Sequence, residues 1–436
     1  MAETYKNQKD ILNKLKIDQL NPMQEEAKFA IHSNTDVVLL SPTGTGKTLA
    51  FLLPIIAELN PECIEVQTLI IVPSRELAIQ IEQVTREMGT GYKTNVVYGG
   101  QSFTKDKSDL QHPPAILIGT PGRVADHIRR NTFSIDSINT LVLDEFDKSL
   151  EIGFEKEMKQ ILTALTAVTR KILTSATYNV EIPDFVRLNN AKTINYLDEK
   201  IAQLEIKLVE SKSKDKLDTL VALLSHIGNH PGIIFCNFKE TIQRVSDFLT
   251  FHHIQHGCFY GGMEQHDRER ALIKFRNGTH QLIIATDLAA RGLDIPELKF
   301  IIHYHIPQKE HEFTHRNGRT ARMNSEGTAY ILKWEQEKLP EYMSTPEKIE
   351  ITEAPIPDTS NWKTLFISGG RKNKFSKGDI AGFLFKQGGI SNEQIGLIEL
   401  KQDCTFVAVR SDIVDQLILK INNTTLKKKK VKVTLI

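Results

Sequence analysis

The chain has 436 residues, 40% of them hydrophobic and 25% charged, a globular composition with length for about three domains of roughly 150 residues each. Its net charge of +1 conceals a division: residues 361–436 carry 14 Lys and Arg against 6 Asp and Glu, a surplus of +8, so the first 360 residues carry −7. That asymmetry points the tail at an anionic partner, nucleic acid first, while no apolar run approaches the ~20 residues of a membrane span.

Cys63, Cys236, Cys258 and Cys404 are scattered without a CxxC pair, which argues against a zinc site or a disulfide framework and fits a reducing cytoplasm. The opening MAETYKNQKD has no apolar signal core, so a cytoplasmic protein is expected. Ile11, Leu12 and Leu15 read as an amphipathic helix, followed by a turn at Asn21 and Pro22 and a second helix from Gln24. The Gln24 carboxamide both donates and accepts, which suits the adenine N6 and N7 edge.

The apolar run Val37 to Leu40 then leads into SPTGTGKT, that is Ser41, Pro42, Thr43, Gly44, Thr45, Gly46, Lys47 and Thr48, and on into a helical stretch. Strand, glycine-rich loop and helix make a phosphate cradle, because Gly44 and Gly46 let successive N–H groups and the helix start converge on phosphate oxygens. Lys47 is placed to reach the β and γ phosphates of a nucleotide, and Thr48 to offer its hydroxyl to Mg²⁺. Ser41 stands where the usual pattern has glycine.

Beyond the loop, TLIIVP, NVVYGG, AILIGTPG, TLVLDEF and KILTSAT alternate with helical patterns. Runs rich in Val, Ile and Leu on both faces are those of a buried parallel sheet, so a doubly wound α/β domain is expected, with ligands at the carboxyl ends of its strands. From about residue 203 a second set repeats this: GIIFCNF, HGCFY, LIIATD, FIIHYHIP and AYILK. YLDEK, near 196–200, is the expected link between the two. APIPDTSNW, 354–362, marks a further boundary by its Pro, Asp, Thr and Ser. The last 75 or so residues read β, α, β, β, α, β, a small α+β module of the RNA-recognition type, on which exposed aromatics can stack bases. The boundaries expected are 1–200, 201–350, a linker at 351–361, and 362–436.

Asp144, Glu145, Phe146 and Asp147 follow the strand Thr140 to Leu143, where an Mg²⁺-directed carboxylate belongs. Asp144 is expected to hold the ion through water, and Glu145 to position and deprotonate the attacking water.

With these residues in view the chain resembles a DEAD-box RNA helicase over both α/β domains, DEFD standing for DEAD. The resemblance implies two RecA-like domains and an RNA-dependent ATPase. It makes Gln24 the adenine reader and Ser41 to Thr48 the nucleotide loop. PSRELA with Arg75, the Gly99 and Gly100 pair, and TPGR with Thr120 and Arg123 become RNA-contacting loops. Ser175 and Thr177 of SAT couple nucleotide state to strand separation. In the second domain Gln265 and Arg268 resemble the QxxR element, Thr286 and Asp287 the segment facing RNA, and Asp294 a ribose contact. HRNGRTAR, from His315 to Arg322, resembles the motif whose arginines, here Arg319 and Arg322, reach the γ phosphate. Rigid guanidinium forks suit the charge that develops on a transferred phosphoryl group, and the spacing puts Arg319 and Arg322 on adjacent turns.

The tail resembles the RNA-binding domain of DbpA-type bacterial helicases through TLFISGGRKNKFSKGDI and TFVAVR, which implies large-subunit ribosomal RNA as its target. Arg371, Lys372, Lys374, Lys377 and Arg410 are the expected phosphate contacts, and Phe366 and Phe406 are either stacking platforms or core. The Lys427 to Lys430 run reads equally as an RNA contact or as edge protection. Departures from the family pattern are Ile17 where an aromatic is usual, Asn21 where Thr is, Ala321 where Gly is commoner, and Phe146, whose extra volume must be taken up by repacking near the SAT loop. The reading is a monomeric helicase that remodels short ribosomal RNA duplexes. The alternatives are an ATP-gated RNA clamp in which Phe146 has stopped hydrolysis, and a DNA-translocating relative.

Overall fold

Seven strands form the first sheet: β1 (Asp36–Leu40), β2 (Thr68–Ile71), β3 (Thr94–Val97), β4 (Ile116–Gly119), β5 (Thr140–Leu143), β6 (Arg170–Ser175) and β7 (Lys192–Asn195). The structure is a computed structural model that describes residues 7–149, 154–177, 182–197, 204–287, 298–320 and 326–436. All seven strands run parallel, in the order β3-β4-β2-β5-β6-β1-β7. Alternate side chains enter the two layers of core: Val37, Leu39, Ile70, Ile118, Val142 and Ile172 on one side, and Val38, Leu69, Ile71, Leu117, Leu141 and Leu173 on the other. This double burial is why the strands read as continuous apolar runs. β7 was not foreseen, because it is an edge strand that buries Ile194 while exposing Lys192, Thr193 and Asn195.

The described residues from 204 onward belong to a second unit. Its first sheet comprises β8 (Leu204–Ser211), β9 (Gly232–Phe235), β10 (Gly257–Phe259), β11 (Leu282–Ala285), β12 (Phe300–His303), β13 (Gly327–Trp334) and β14 (Glu347–Lys348). The order is β10-β11-β9-β12-β13-β8-β14, the permutation of the first sheet with every strand moved on by seven. Two copies of one architecture therefore follow each other along the chain. β8 and β14 also escaped the sequence reading, the first because Glu205, Lys207 and Glu210 interrupt its apolar pattern.

Past β13 the chain stays on the second sheet. β14 pairs with β8, Ile349 and Ile351 pack on the core, and the Thr352 hydroxyl lies 2.6 Å from His226 Nδ1. The Ser360 hydroxyl then donates to the Gly278 carbonyl. The expected linker is thus anchored at its two ends, by Ile351 and Thr352 and by Ser360, with most of the residues between them exposed.

The C-terminal module has β15 (Trp362–Ile367), β16 (Ile395–Leu400), β17 (Thr405–Arg410) and, after an inserted hairpin of β18 (Thr425–Leu426) and β19 (Lys429–Lys430), β20 (Val433–Leu435). The four-stranded antiparallel sheet runs β16-β17-β15-β20, with helices Lys377–Phe383 and Val414–Ile421 completing the βαββαβ path. Leu365, Ile367, Val407, Val409 and Val433 point into the module's core. Register puts Thr364, Phe366, Ala408, Phe406 and Glu399 on the opposite face.

That face is covered by the last turns of the helix Gln265–Arg276 and the turn after it. Arg276 forks onto Glu399 with bonds of 2.7 and 2.8 Å, the Thr279 and Thr364 hydroxyls meet at 2.7 Å, and Lys401 pairs with Glu269 at 2.7 Å. Phe406, in edge contact with Phe366 at 5.7 Å between centroids, is only 5% exposed. Phe406 is therefore neither a module core residue nor an open platform.

Candidate nucleotide and RNA sites

β1 delivers the chain into the glycine-rich loop, whose Gly44 and Gly46 both sit at positive φ, 85° and 84°. The helix Lys47–Glu58 starts at once, so its free N–H groups face the loop. Ser41 is fully buried, and its hydroxyl lies 2.7 Å from that of Thr45, which donates to the Pro42 carbonyl at 2.9 Å. Lys47 Nζ donates to the carbonyls of Ser41 at 2.5 Å and Pro42 at 2.8 Å. The ammonium is held inside the cradle by the loop's own oxygens.

Asn21 and Gln24 cap the helix Pro22–Ser33 reciprocally and also grip this loop. Asn21 Nδ2 donates to the Thr45 carbonyl at 3.0 Å, and Gln24 Nε2 to the Gly46 carbonyl at 3.2 Å. A Cβ on Gly46 would stand 2.4 Å from that Nε2, so both the close approach and the positive φ require glycine. Ile17 is half-buried against the core of the first sheet.

At the end of β5, Asp144 and Glu145 are 4% and 7% exposed. Glu145 has φ of 49°, a strained left-handed conformation for a residue with a Cβ. Burial, and then the Glu145 charge beside it, push the Asp144 carboxyl up to about 6. The Thr174 hydroxyl, which donates to Asp144 Oδ1, and the Lys47 charge act in the opposite direction. Glu145 Oε2 is buried without a hydrogen-bond partner. Two crowded buried carboxylates, one with an unsatisfied oxygen, suit a divalent cation. Thr48 is the second residue of the helix Lys47–Glu58 that follows the glycine-rich loop.

Behind them, Thr177 donates to Asp147 Oδ2 at 3.1 Å, and its backbone N–H donates to Ser175 Oγ at 3.1 Å. The SAT residues thus touch the fourth residue of DEFD. Phe146 is 1% exposed and belongs to the core with Leu143, Met158, Ile161 and Leu173, which is how the phenyl ring is accommodated.

The loops of the first unit expected to contact RNA are partly brought together. The Arg75 guanidinium lies against Gly100, where a Cβ would meet it at 2.7 Å and where φ is 93°. Thr120 precedes the helix Pro121–Arg129. Arg123 is drawn inward: it is ion-paired with buried Asp106 at 2.7 Å and donates to the Gln101 carbonyl at 3.1 Å. It therefore braces the loop that follows Gly100.

In the second unit Arg268 stacks over the Phe259 ring at 4.7 Å, and the Thr286 backbone N–H donates to the Phe259 carbonyl at 3.3 Å. Arg316, absent from the sequence reading as a functional residue, is the organiser here. It is 1% exposed, forks onto Asp287 with two bonds of 2.5 Å, and donates to the His305 carbonyl at 2.6 Å and to Asn237 Oδ1 at 2.8 Å. His315 and Arg319 are buried beside it. The expected helical spacing of Arg319 and Arg322 is corrected: the helix Glu310–Asn317 ends at Gly318, so Arg319 lies in the turn beyond. Arg322 and Asp294 fall outside the described residues.

In the C-terminal module Arg371, Lys372 and Lys374 lie on one exposed loop after β15, and exposed Lys377 opens the helix Lys377–Phe383 that follows it. Arg410 is not part of this group. It pairs with Trp362 at the far end of β15, beside Asp412 at 3.5 Å.

Sequence reasoning missed Thr174, Asn21 as a loop holder, Asp147, Asp106 and Arg316. Arg316 had a signal, since it lies inside HRNGRTAR; Asp106 had none.

Comparison with known proteins follows the same three parts. Residues 21–185 match the DEAD/DEAH box helicase family, 215–324 the helicase conserved C-terminal domain, and 364–435 the DbpA RNA binding domain. The chain is 31% identical over 439 residues to the ATP-dependent RNA helicase DbpA of Escherichia coli strain K12, covering 98% of this chain and 96% of that one. It is 29% identical over 475 residues to DbpA of Bacillus subtilis strain 168, covering 99% and 98%. Among solved structures, S. cerevisiae Dbp5 bound to RNA and ADP BeF3 superposes with a TM-score of 0.67 at 28% identity, over 75% of this chain and 87% of that one. No helix among the described residues is long and apolar enough to cross a membrane. The chain belongs to the DEAD-box ATP-dependent RNA helicases, RNA-dependent ATPases, and within them to the DbpA type.

Proposed function

We propose that the protein is a cytoplasmic, monomeric helicase that remodels short duplexes in large-subunit ribosomal RNA, with the C-terminal module selecting the target. The observation that carries this reading is the module itself: it matches the DbpA RNA binding domain over 364–435 and gathers four basic side chains on one loop and the helix start that follows it.

In the nucleotide site, Lys47 exchanges the carbonyls of Ser41 and Pro42 for phosphate oxygens, and Gln24 and Asn21 keep the loop in register. Thr48 and Asp144 would hold Mg²⁺, which when bound neutralises charge on the β and γ phosphates. Glu145 accepts the proton of the attacking water, and Arg319 and Arg322 stabilise charge developing on the γ phosphate. Thr177 and Ser175 transmit the state of the carboxylate strand through Asp147. Phe146 packs away from the reacting groups, which favours retained hydrolysis over a clamp.

Phosphate release by the purified chain tests this reading. Large-subunit ribosomal RNA should stimulate it at lower concentration than an unrelated RNA of equal length, and Glu145→Gln should remove the stimulated rate. Equal half-maximal concentrations for the two RNAs would contradict the target, and no release above the Glu145→Gln level would favour the clamp.

A further inference from the structure

The run Lys427 to Lys430, ambiguous as sequence, is resolved by its contacts. Leu426 and Lys429 pair across the hairpin of β18 and β19, as do Thr425 and Lys430, so Lys427 and Lys428 form the turn, with Lys427 at φ of 55°. Lys427 Nζ donates to the Lys374 carbonyl at 2.8 Å and pairs with Asp379 at 2.7 Å. Lys429 Nζ donates to Asn373 Oδ1 at 3.1 Å. Hydrogen bonds from Lys427 and Ser376 hold the Asp379 carboxyl down to about 2, so this acid is committed to the junction.

Two of the four lysines therefore fasten the hairpin onto the segment that carries Arg371, Lys372, Lys374 and Lys377. The other two, Lys428 and Lys430, stay exposed, as does Lys432 just beyond, and none of their ammonium groups has an ion pair or hydrogen bond among the described residues. Edge protection does not account for this. β20 follows only after Val431 and Lys432, and the hairpin is stapled to a loop that is already basic. The outer face of the sheet, which could otherwise stack bases, is turned onto the helix Gln265–Arg276. The module exposes Lys428 and Lys430 on the hairpin and Arg371, Lys372, Lys374 and Lys377 on the neighbouring segment, Lys372 being paired with exposed Asp403 at 2.9 Å; exposed cations of this kind suit contacts to RNA backbone phosphates.

We propose that Lys428 and Lys430 of the hairpin are phosphate-binding residues that act with the Arg371–Lys377 loop as one continuous RNA surface, an inference that rests on the module's being an RNA-binding domain. The experiment is a salt titration of the affinity of the full chain for a hairpin RNA, read by fluorescence anisotropy, with three variants. Lys428→Gln with Lys430→Gln should weaken binding roughly tenfold or more at low salt and make the dependence of log K on log salt shallower by about 2. Lys428→Arg with Lys430→Arg should keep both affinity and slope, since the charge remains. The third variant neutralises Arg371, Lys372, Lys374 and Lys377. If it loses affinity while the hairpin Gln pair leaves the slope unchanged, the hairpin proposal is overturned and the module's RNA role stands. If neither neutralisation changes affinity or slope, the RNA reading of the module fails as well.

Discussion

Thr174 lies inside β6, one residue before the SAT triplet, and is fully buried with its hydroxyl on Asp144. That bond works against the burial that raises the Asp144 carboxyl, so it favours the ionised form, the form that the proposed cation site requires. Replacing Thr174 by Val keeps the volume and removes the donor. RNA-stimulated kcat should fall about tenfold, equivalent to about 1.4 kcal/mol, while Thr174→Ser keeps the rate. Undiminished turnover in the Val variant would assign Thr174 to packing alone. The sequence did not reveal this residue because its partner is 30 positions away and only the sheet order, with β5 beside β6, brings them together. The nucleotide loop and DEFD were legible for the opposite reason: their chemistry is contiguous, strand then loop then helix.

The element that most shapes the second unit's chemistry is β12, which ends in fully buried His303. Its Nε2–H donates to Asn317 Oδ1 at 3.0 Å, and its ring lies between Phe235 and Phe313. Burial, and then the Arg316 charge, press its pKa down to about 3. An unfolded chain takes up this proton near pH 6.5 and the folded one does not until about 3, so stability is complete above 6.5 and drains away as pH falls, by roughly 2 kcal/mol at pH 5. His280 and His305, both held near 4 mainly by burial, act with the same sign. Denaturant midpoints of the second unit should fall between pH 7 and pH 5, and His303→Gln should flatten that fall; an unchanged profile would refute the assignment. The helix Gln265–Arg276 gives a second test. Arg276→Ala leaves Glu399 half-paired in a largely buried contact, at a cost of about 1–3 kcal/mol, and should speed proteolytic cutting within residues 351–361. Exchanging the two charges, Arg276→Glu with Glu399→Arg, should restore resistance. Neither feature was legible beforehand, because alternation in TFVAV cannot say which face meets another domain.

At the scale of the whole molecule, one permutation of seven parallel strands occurs twice, and a small antiparallel module follows. Fold class was readable because Val, Ile and Leu runs recur at α/β spacing; strand order was not, nor were the edge strands β7 and β14 and the charge-interrupted inner strand β8, whose patterns are half-polar. The uneven charge of the sequence has a structural counterpart in the module, where Lys427 and Lys429 build the surface and the neighbouring lysines present it. In the proposed function this surface directs an RNA-dependent ATPase to one class of RNA. Crosslinking the full chain to RNA in cells and sequencing what is bound tests it most directly. Large-subunit ribosomal RNA should dominate the recovered fragments, with sites clustered in one region and depleted when Arg371, Lys372, Lys374 and Lys377 are neutralised; fragments spread over messenger and ribosomal RNA in proportion to abundance, unaltered by that change, would contradict it.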